Sequence, residues 1–210
     1  MAEHENSGLW NAEHRLVLAS KSASRRELLA SAGLPFDVEA AQIDERAVEL
    51  HFLGQGGSAD GLSRALARAK AVDVSRRAPG ALCLGADQVL SLEGEIFHKA
   101  ETIAESRRHL ARLAGKTHRL SSAFAIARDG GVIHEDEDSA YMTMRALDTE
   151  RIEDYARLAG AAALSSVGGY QWEALGVHLF ERVEGDHATI LGLPLLKLLR
   201  SLRREGALRL

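Results

Sequence analysis

The chemistry-bearing residues of this chain fall at a few short, dense places. The first is Ser20-Lys21-Ser22-Ala23-Ser24-Arg25-Arg26, where hydroxyls and cations crowd one bend after the apolar Leu16-Val17-Leu18. The Ser20 and Ser22 hydroxyls, the amide hydrogens left open at a helix start and the Arg25 guanidinium are donors suited to a phosphate, with the positive end of the helix dipole behind them. The plainer reading is that Ser24 caps the helix and the arginines are solvated. The glycine spacing of a P-loop is absent, which disfavours a Walker-type kinase. A second place is Gly85-Ala86-Asp87-Gln88, following the apolar run from Ala81. This spacing puts Asp87 at the carboxyl end of a buried strand, where open α/β sheets hold ligands. A carboxylate there can hold a divalent metal against phosphate or accept a proton from an attacking water, unless it merely forms a turn.

Asp44-Glu45 is a second acidic pair, able to complete a metal site or simply to open a loop. Lys70 and Lys99 gain meaning only beside these acids, because most lysines are solvated. The Gly169 to Gly176 stretch offers Tyr170 and Trp172 as stacking rings and Glu173 as an acceptor for a base edge. Its bland alternative is a core tryptophan beside a solvated glutamate. Cys83 reads as a small buried strand residue, and His51, His98, His118 and His187 as surface or structural groups. The nine histidines show no metal-ligand spacing.

Positioning these residues requires alternating strands and helices. Arg15 to Ala19 reads as a buried strand, Ser24-Arg25-Arg26-Glu27 as a capping box, and Gly33 as the stop of that helix. Phe36 to Ala40 is expected to be extended, Val48 to Gly61 to end in a glycine-rich loop, and Leu62 to Arg76 to be helical. Ala81 to Ala86 is a second buried strand. Gln88 to Lys99 alternates around Glu93-Gly94 as a hairpin does. Ile103 to Ala114 is a helix ended by Gly115, and Thr117 to Leu147 forms two strands joined at Asp129-Gly130-Gly131. Asp148 caps a helix to Ala159 that Gly160 stops. Val177 to Val183 alternates as a strand, and Leu193-Pro194 opens a final helix to about Glu205. The class is α/β with a mixed sheet flanked by helices.

Of the 210 residues, 46% are hydrophobic and 27% charged, enough to bury a sizeable core and too regular for disorder or a disulfide scaffold. A net charge of −4 argues against binding duplex nucleic acid by bulk charge, so any phosphate site is local. One cysteine cannot make an internal disulfide. Residues 1–14 read as a polar leader without the charged-then-apolar pattern of a signal, and no run suits a membrane span, so a cytoplasmic protein with no membrane partner is expected. Residues 15–210 read as a single domain.

Taken in order, these motifs resemble the Maf family of nucleoside triphosphate pyrophosphatases from about Leu16 to Glu205. Ser20-x-Ser22-x-x-Arg25 is similar to its opening motif, Asp44-Glu45 to its acidic pair, Leu66 to Ala71 to its lysine helix and Gly85-Ala86-Asp87 to its central acid motif. Lys99 stands where the lysine of its Gly-Lys-Pro falls. Gly185-Asp186 with Leu191-Gly192-Leu193-Pro194 resembles its closing signature. The chain departs from the pattern at Ser24, at Ala100 and at Ser166-Val167.

The resemblance implies a strongly twisted mixed sheet with a cleft between two lobes. It also implies hydrolysis between the α and β phosphates, giving a monophosphate and pyrophosphate with Mg or Mn. Asp87 would accept the proton, Glu45 and Asp87 would position the metal, and Ser20, Ser22, Arg25, Lys70 and Lys99 would hold the triphosphate. Gln88 and Glu173 resemble the 7-methyl-GTP branch, a house-cleaning activity on a modified nucleotide. A cationic methylated guanine presenting N–H donors suits a carboxylate and a stacked ring. Alternatives are a dTTP/UTP-type pyrophosphatase, and a nucleotide-binding regulator of cell division with little catalysis, since the family is also associated with arrest of septum formation. A homodimer is compatible with the resemblance.

Overall fold

The structure is a computed structural model and describes residues 8–210; the first seven positions of the expected leader lie outside the described residues. In chain order the strands are β1 (Leu16–Leu18), β2 (Asp37–Val38), β3 (Leu82–Leu92), β4 (Glu95–Phe97), β5 (Thr117–Arg128), β6 (Gly131–Met144) and β7 (Phe180–Glu184). The helices are α1 (Ala23–Ser31), α2 (Glu45–Gly54), α3 (Ala59–Ser75), α4 (Ile103–Leu113), α5 (Thr149–Ala159), α6 (Ala162–Ser165), α7 (His187–Ile190) and α8 (Leu195–Arg204). The sheet runs β2-β1-β3-β5-β6-β7, with β4 paired to β3. It is mixed and not closed into a barrel: β1 is parallel to β2 and to β3, while β4 is antiparallel to β3 and β7 to β6.

Both expected hairpins form. Their turns place Glu93 and Gly94, and Asp129 and Gly130, at positive φ, the signature of a two-residue turn whose twist suits the flanking strands. Asp148 caps α5, its side chain accepting from the Arg151 amide, and Gly160 ends it at φ 54°.

Three expectations need correction. The first cap is Ser22, which accepts from the Arg25 amide, so α1 starts earlier than a Ser24 box predicts. The strand carrying Asp87 does not stop at Ala86. It continues to Leu92 because its second half is the hairpin strand paired with β4, and Asp87 therefore lies mid-strand. Finally, the first residues of the expected Val177 to Val183 strand are a 3₁₀ turn, Leu175–Leu179, and only β7 pairs with β6.

The chain divides into two compact units. Of the described residues, one comprises 8–88, 122–138 and 192–210, the other 89–121 and 139–191. In the first unit a leucine-rich core gathers Leu16, Leu18, Leu82, Leu84, Phe124, Leu198 and Leu202. Trp10, inside the stretch read as a leader, is buried in it and bridges Leu208. The buried members of a further cluster of this unit are alanines, Ala67 and Ala71 of α3 with Ala123, Ala125 and Ala127 of β5, and Val72 and Val132 pack against them. The second unit has its own core around Leu90, Phe97, Leu110, Met142, Tyr155 and Tyr170.

Candidate active site

The alanine seam explains how the central acid acquires its cation. A Cβ added to Gly85 would collide with the Ala67 carbonyl oxygen and lie 2.6 Å from the Ala71 amide nitrogen, so α3 rests directly on the backbone of β3. That approach lets Lys70 of α3 reach Asp87 of β3, with Nζ 2.5 Å from Oδ1. Both residues are only 8% exposed, so the pair is held away from water. Burial holds the Asp87 carboxyl above the ordinary carboxylate range, with Glu45 adding to the rise and Lys70 and Arg25 pulling against it. Lys70 Nζ also lies 3.0 Å from Glu45 Oε1. Glu45 is the first residue of α2 because Asp44 caps that helix, accepting from the Ala47 amide at 3.0 Å. Asp44 thus serves the backbone, and the exposed Glu45 faces the lysine.

The bend between β1 and α1 supplies the rest of the charge. The Ala19 amide continues the β1 pairing by donating to the Leu84 carbonyl at 2.8 Å, which fixes the bend beside β3. Arg25 is buried. Its Nε donates to the Gly192 carbonyl at 2.8 Å and its Nη1 to Ser20 Oγ at 3.1 Å. Ser20 Oγ also accepts from the Ser22 amide at 3.2 Å. Burial lowers the Arg25 pKa, opposed by the fields of Asp87 and Glu45. The expected bend forms, with its hydroxyls holding the bend and its arginine in shape.

The structure brings Ser20, Ser22, Arg25, Glu45, Lys70 and Asp87 together in the first unit. Gln88 belongs to that unit too and donates Nε2 to Ser122 Oγ at 3.0 Å. Lys99 and Glu173 lie in the second unit. Lys99 is exposed just after β4, its backbone bridging Val167, and Glu173 is exposed in the turn before the 3₁₀ segment. Its neighbour Trp172 is half-buried, edge-on to Phe180 with ring centroids 5.6 Å apart, and its Nε1 donates to His187 Nδ1 at 3.3 Å. Cys83 is buried, its thiol pushed up to about 11 by burial, which makes it inert.

Two contributors stood inside motifs quoted from the sequence without being given a role. The Gly192 carbonyl that orients Arg25 left no side-chain signal. Gly85 did leave one, a glycine inside a strand pattern, which marks close backbone approach.

Glu45 and Asp87 converge on a single ammonium group, and no group of three or more His, Cys, Asp or Glu able to hold a metal occurs among the described residues. Two hard carboxylate oxygens alone are a donor set for a magnesium-like ion whose remaining positions go to water and phosphate.

An open mixed α/β sheet carrying a cation-rich bend beside a buried acid and lysine defines the class. Residues 15–205 match the family described as Maf-like protein, and the chain belongs to the Maf family. Among its relatives is the 7-methyl-GTP pyrophosphatase of Brucella abortus, 50% identical over 191 residues, covering 91% of this chain and 96% of that protein. The protein of the same name from Rhizobium johnstonii is 50% identical over 194 residues, 92% of this chain and 98% of its own. The nucleoside triphosphate pyrophosphatase of Nitrobacter winogradskyi is 47% identical over 208 residues, 96% of this chain and 99% of its own.

Proposed function

We propose that this protein hydrolyses a nucleoside triphosphate at the α–β phosphoanhydride, releasing the monophosphate and pyrophosphate, with 7-methyl-GTP as its preferred type of substrate. The observation that carries the reading is Lys70 held between Asp87 and Glu45 beside the clamped Arg25. Phosphoryl transfer is mainly positioning and charge neutralisation, and this arrangement supplies both.

Asp87 is the proton acceptor. Water oxygen bonds to phosphorus as the bridging P–O bond breaks, the water proton passes to the Asp87 carboxylate, and pyrophosphate departs. A base must be unprotonated to act, and the Asp87 carboxyl is raised. The acid limb of kcat/KM is therefore expected above the usual carboxylate range. Without substrate, Lys70 neutralises the two carboxylates; when the polyphosphate enters, it serves the phosphate oxygens along with Arg25, Lys99 and the Ser20 and Ser22 hydroxyls. Glu45 and Asp87 would hold a divalent cation, Mg or Mn, which neutralises phosphate charge when bound. At the base end, Glu173 accepts from the N–H donors of a methylated guanine, Trp172 stacks, and Gln88 contributes an amide. The names of the relatives from Brucella and Rhizobium support the methylated nucleotide. No helix of the described residues is long and apolar enough to cross a membrane, and the cytoplasm is the proposed compartment.

The test is pyrophosphate release from a panel of plain and modified nucleoside triphosphates, with Mg²⁺, Mn²⁺ or chelator, for the wild type and Asp87→Asn. Metal-dependent release, fastest with 7-methyl-GTP and lost in the variant, is the expected result. Faster release from UTP or dTTP overturns the base assignment. Binding of nucleotide without release from any of them overturns the enzyme and leaves a regulator.

A further inference from the structure

Within the second unit, the segment Val167 to Glu173 is held at several points. Val167 bridges the backbone of Lys99. Gly168 and Gly169 both have positive φ, 80° and 81°. A Cβ on Gly168 would lie 2.6 Å from Leu90 Cδ1, and one on Gly169 would lie 2.5 Å from Ser106 Oγ. Tyr170 is buried and its hydroxyl meets His118 Nε2 of β5 at 2.6 Å. Tyr170 and Trp172 both pack edge-on against Phe180, at 4.8 and 5.6 Å between centroids, and the His118 ring lies 5.8 Å from the same phenylalanine.

A core built only for stability has no use for this polar pair. His118 is 1% exposed, and its Nδ1 has no hydrogen-bond partner among the described residues, a desolvation cost that a leucine facing a phenylalanine would avoid. What the pair adds is direction. Two consecutive glycines give the backbone many alternatives just before the residues that carry the base-reading groups, and a single short hydrogen bond to a buried ring selects one of them. The selection reaches both ends of the segment, since Val167 is tied to Lys99 and Glu173 lies three residues beyond Tyr170.

We infer that the buried His118–Tyr170 pair is a positioning device that sets the nucleotide discrimination of this protein by fixing the segment from Val167 to Glu173. The inference rests on the base-reading role proposed for Glu173 and Trp172. His118 and Tyr170 touch no substrate; they act through that segment.

Three variants test it: Tyr170→Phe, which keeps the ring packing and removes the hydroxyl; the double variant Tyr170→Phe with His118→Leu, which removes both polar groups and relieves the unpaired imidazole; and Glu173→Gln. The readouts are kcat and KM for 7-methyl-GTP and UTP, with the thermal midpoint of each protein. Tyr170→Phe is expected to lower the 7-methyl-GTP to UTP ratio of kcat/KM about fivefold, chiefly through a higher KM for the favoured nucleotide. The double variant is expected to regain stability while the ratio stays low. If the ratio returns with stability, or if Glu173→Gln moves it and Tyr170→Phe does not, the inference is overturned. An unchanged ratio in Glu173→Gln overturns the base reading itself, and this inference with it.

Discussion

The two units hold their polar residues by opposite means. In the first, charge is made possible by smallness: glycine and alanines let a helix and a strand touch, so that a lysine and an aspartate meet out of water, and a backbone carbonyl orients the arginine. In the second, polar groups are surrounded by bulk, with His118 and Tyr170 set among Phe180 and its neighbours. A site for phosphate needs concentrated, fixed charge, which smallness around it delivers. Recognition of a flat base needs orientation, which stiff rings deliver at low entropic cost.

The sharpest way to break this contrast is Asp87→Asn. Loss of the base is expected to reduce kcat about a thousandfold with little change in KM; turnover near wild type in a pyrophosphate-release assay would remove Asp87 from the chemistry. Next, Gly85→Ala forces a methyl into the Ala67 backbone and is expected to cost about 3 kcal/mol in urea unfolding, together with most of the activity, as α3 lifts Lys70 off Asp87. A fully stable and active Gly85→Ala protein would show that close approach is not what builds the pair.

On the ring side the effect is set by pH. Burial lowers the His118 pKa from 6.5 to about 4. As pH falls below 6.5 the unfolded chain takes a proton that the folded one refuses, so stability is full above that value and drains away toward pH 4. Between pH 7 and pH 5 the loss is about 2 kcal/mol. The double variant lacking both polar groups should show a flatter urea midpoint across that range, and an equal slope in both proteins would assign the loss elsewhere. The smallest effects compare two helix caps. Asp148→Ala and Ser22→Ala are each expected to cost about 1 kcal/mol of stability. Only Ser22→Ala should also reduce kcat/KM, since Ser22 has a proposed role at the phosphates and Asp148 has none.

Residues whose signal is local were readable in advance. Asp148 and Gly160 mark their own helix, and Asp129-Gly130 its own turn, because cap and turn chemistry is decided within a few positions. The bend from Ser20 to Arg25, Lys70 and Asp87 were legible as residue types. Their assembly was implied only by the family resemblance, since Lys70 meets Asp87 across a helix-to-strand contact whose one local trace is Gly85, and a glycine in a strand does not say which helix approaches it. Asp87 was misplaced at a strand end because Gln88 to Leu92 has the alternation of a new hairpin strand, and a continuous strand that changes partners leaves no break in the pattern. The Val177 stretch misled in the reverse direction, its alternation being shared between a 3₁₀ turn and a short strand. Trp10 lay in a polar stretch and was passed over, although one large ring is enough to anchor a segment. His118 read only as a surface or structural group, because the hydroxyl that partners it comes 52 positions later.

The clamp on Arg25 joins positions 167 apart in the chain, and the Leu9 and Asn11 backbones pair with Arg209 and Ala207. During synthesis, then, residues 89–191 are all made before the first unit can close upon itself. Arg25 waits for its anchor until Gly192 has been made, and a ribosome that stalls before Gly192 leaves behind a product with a bend, a helix and an acid, but no oriented guanidinium. The clamp thereby becomes a late event in the life of the nascent chain, completed by the same stretch from Gly192 onward that adds Leu193, Leu198 and Leu202 to the core.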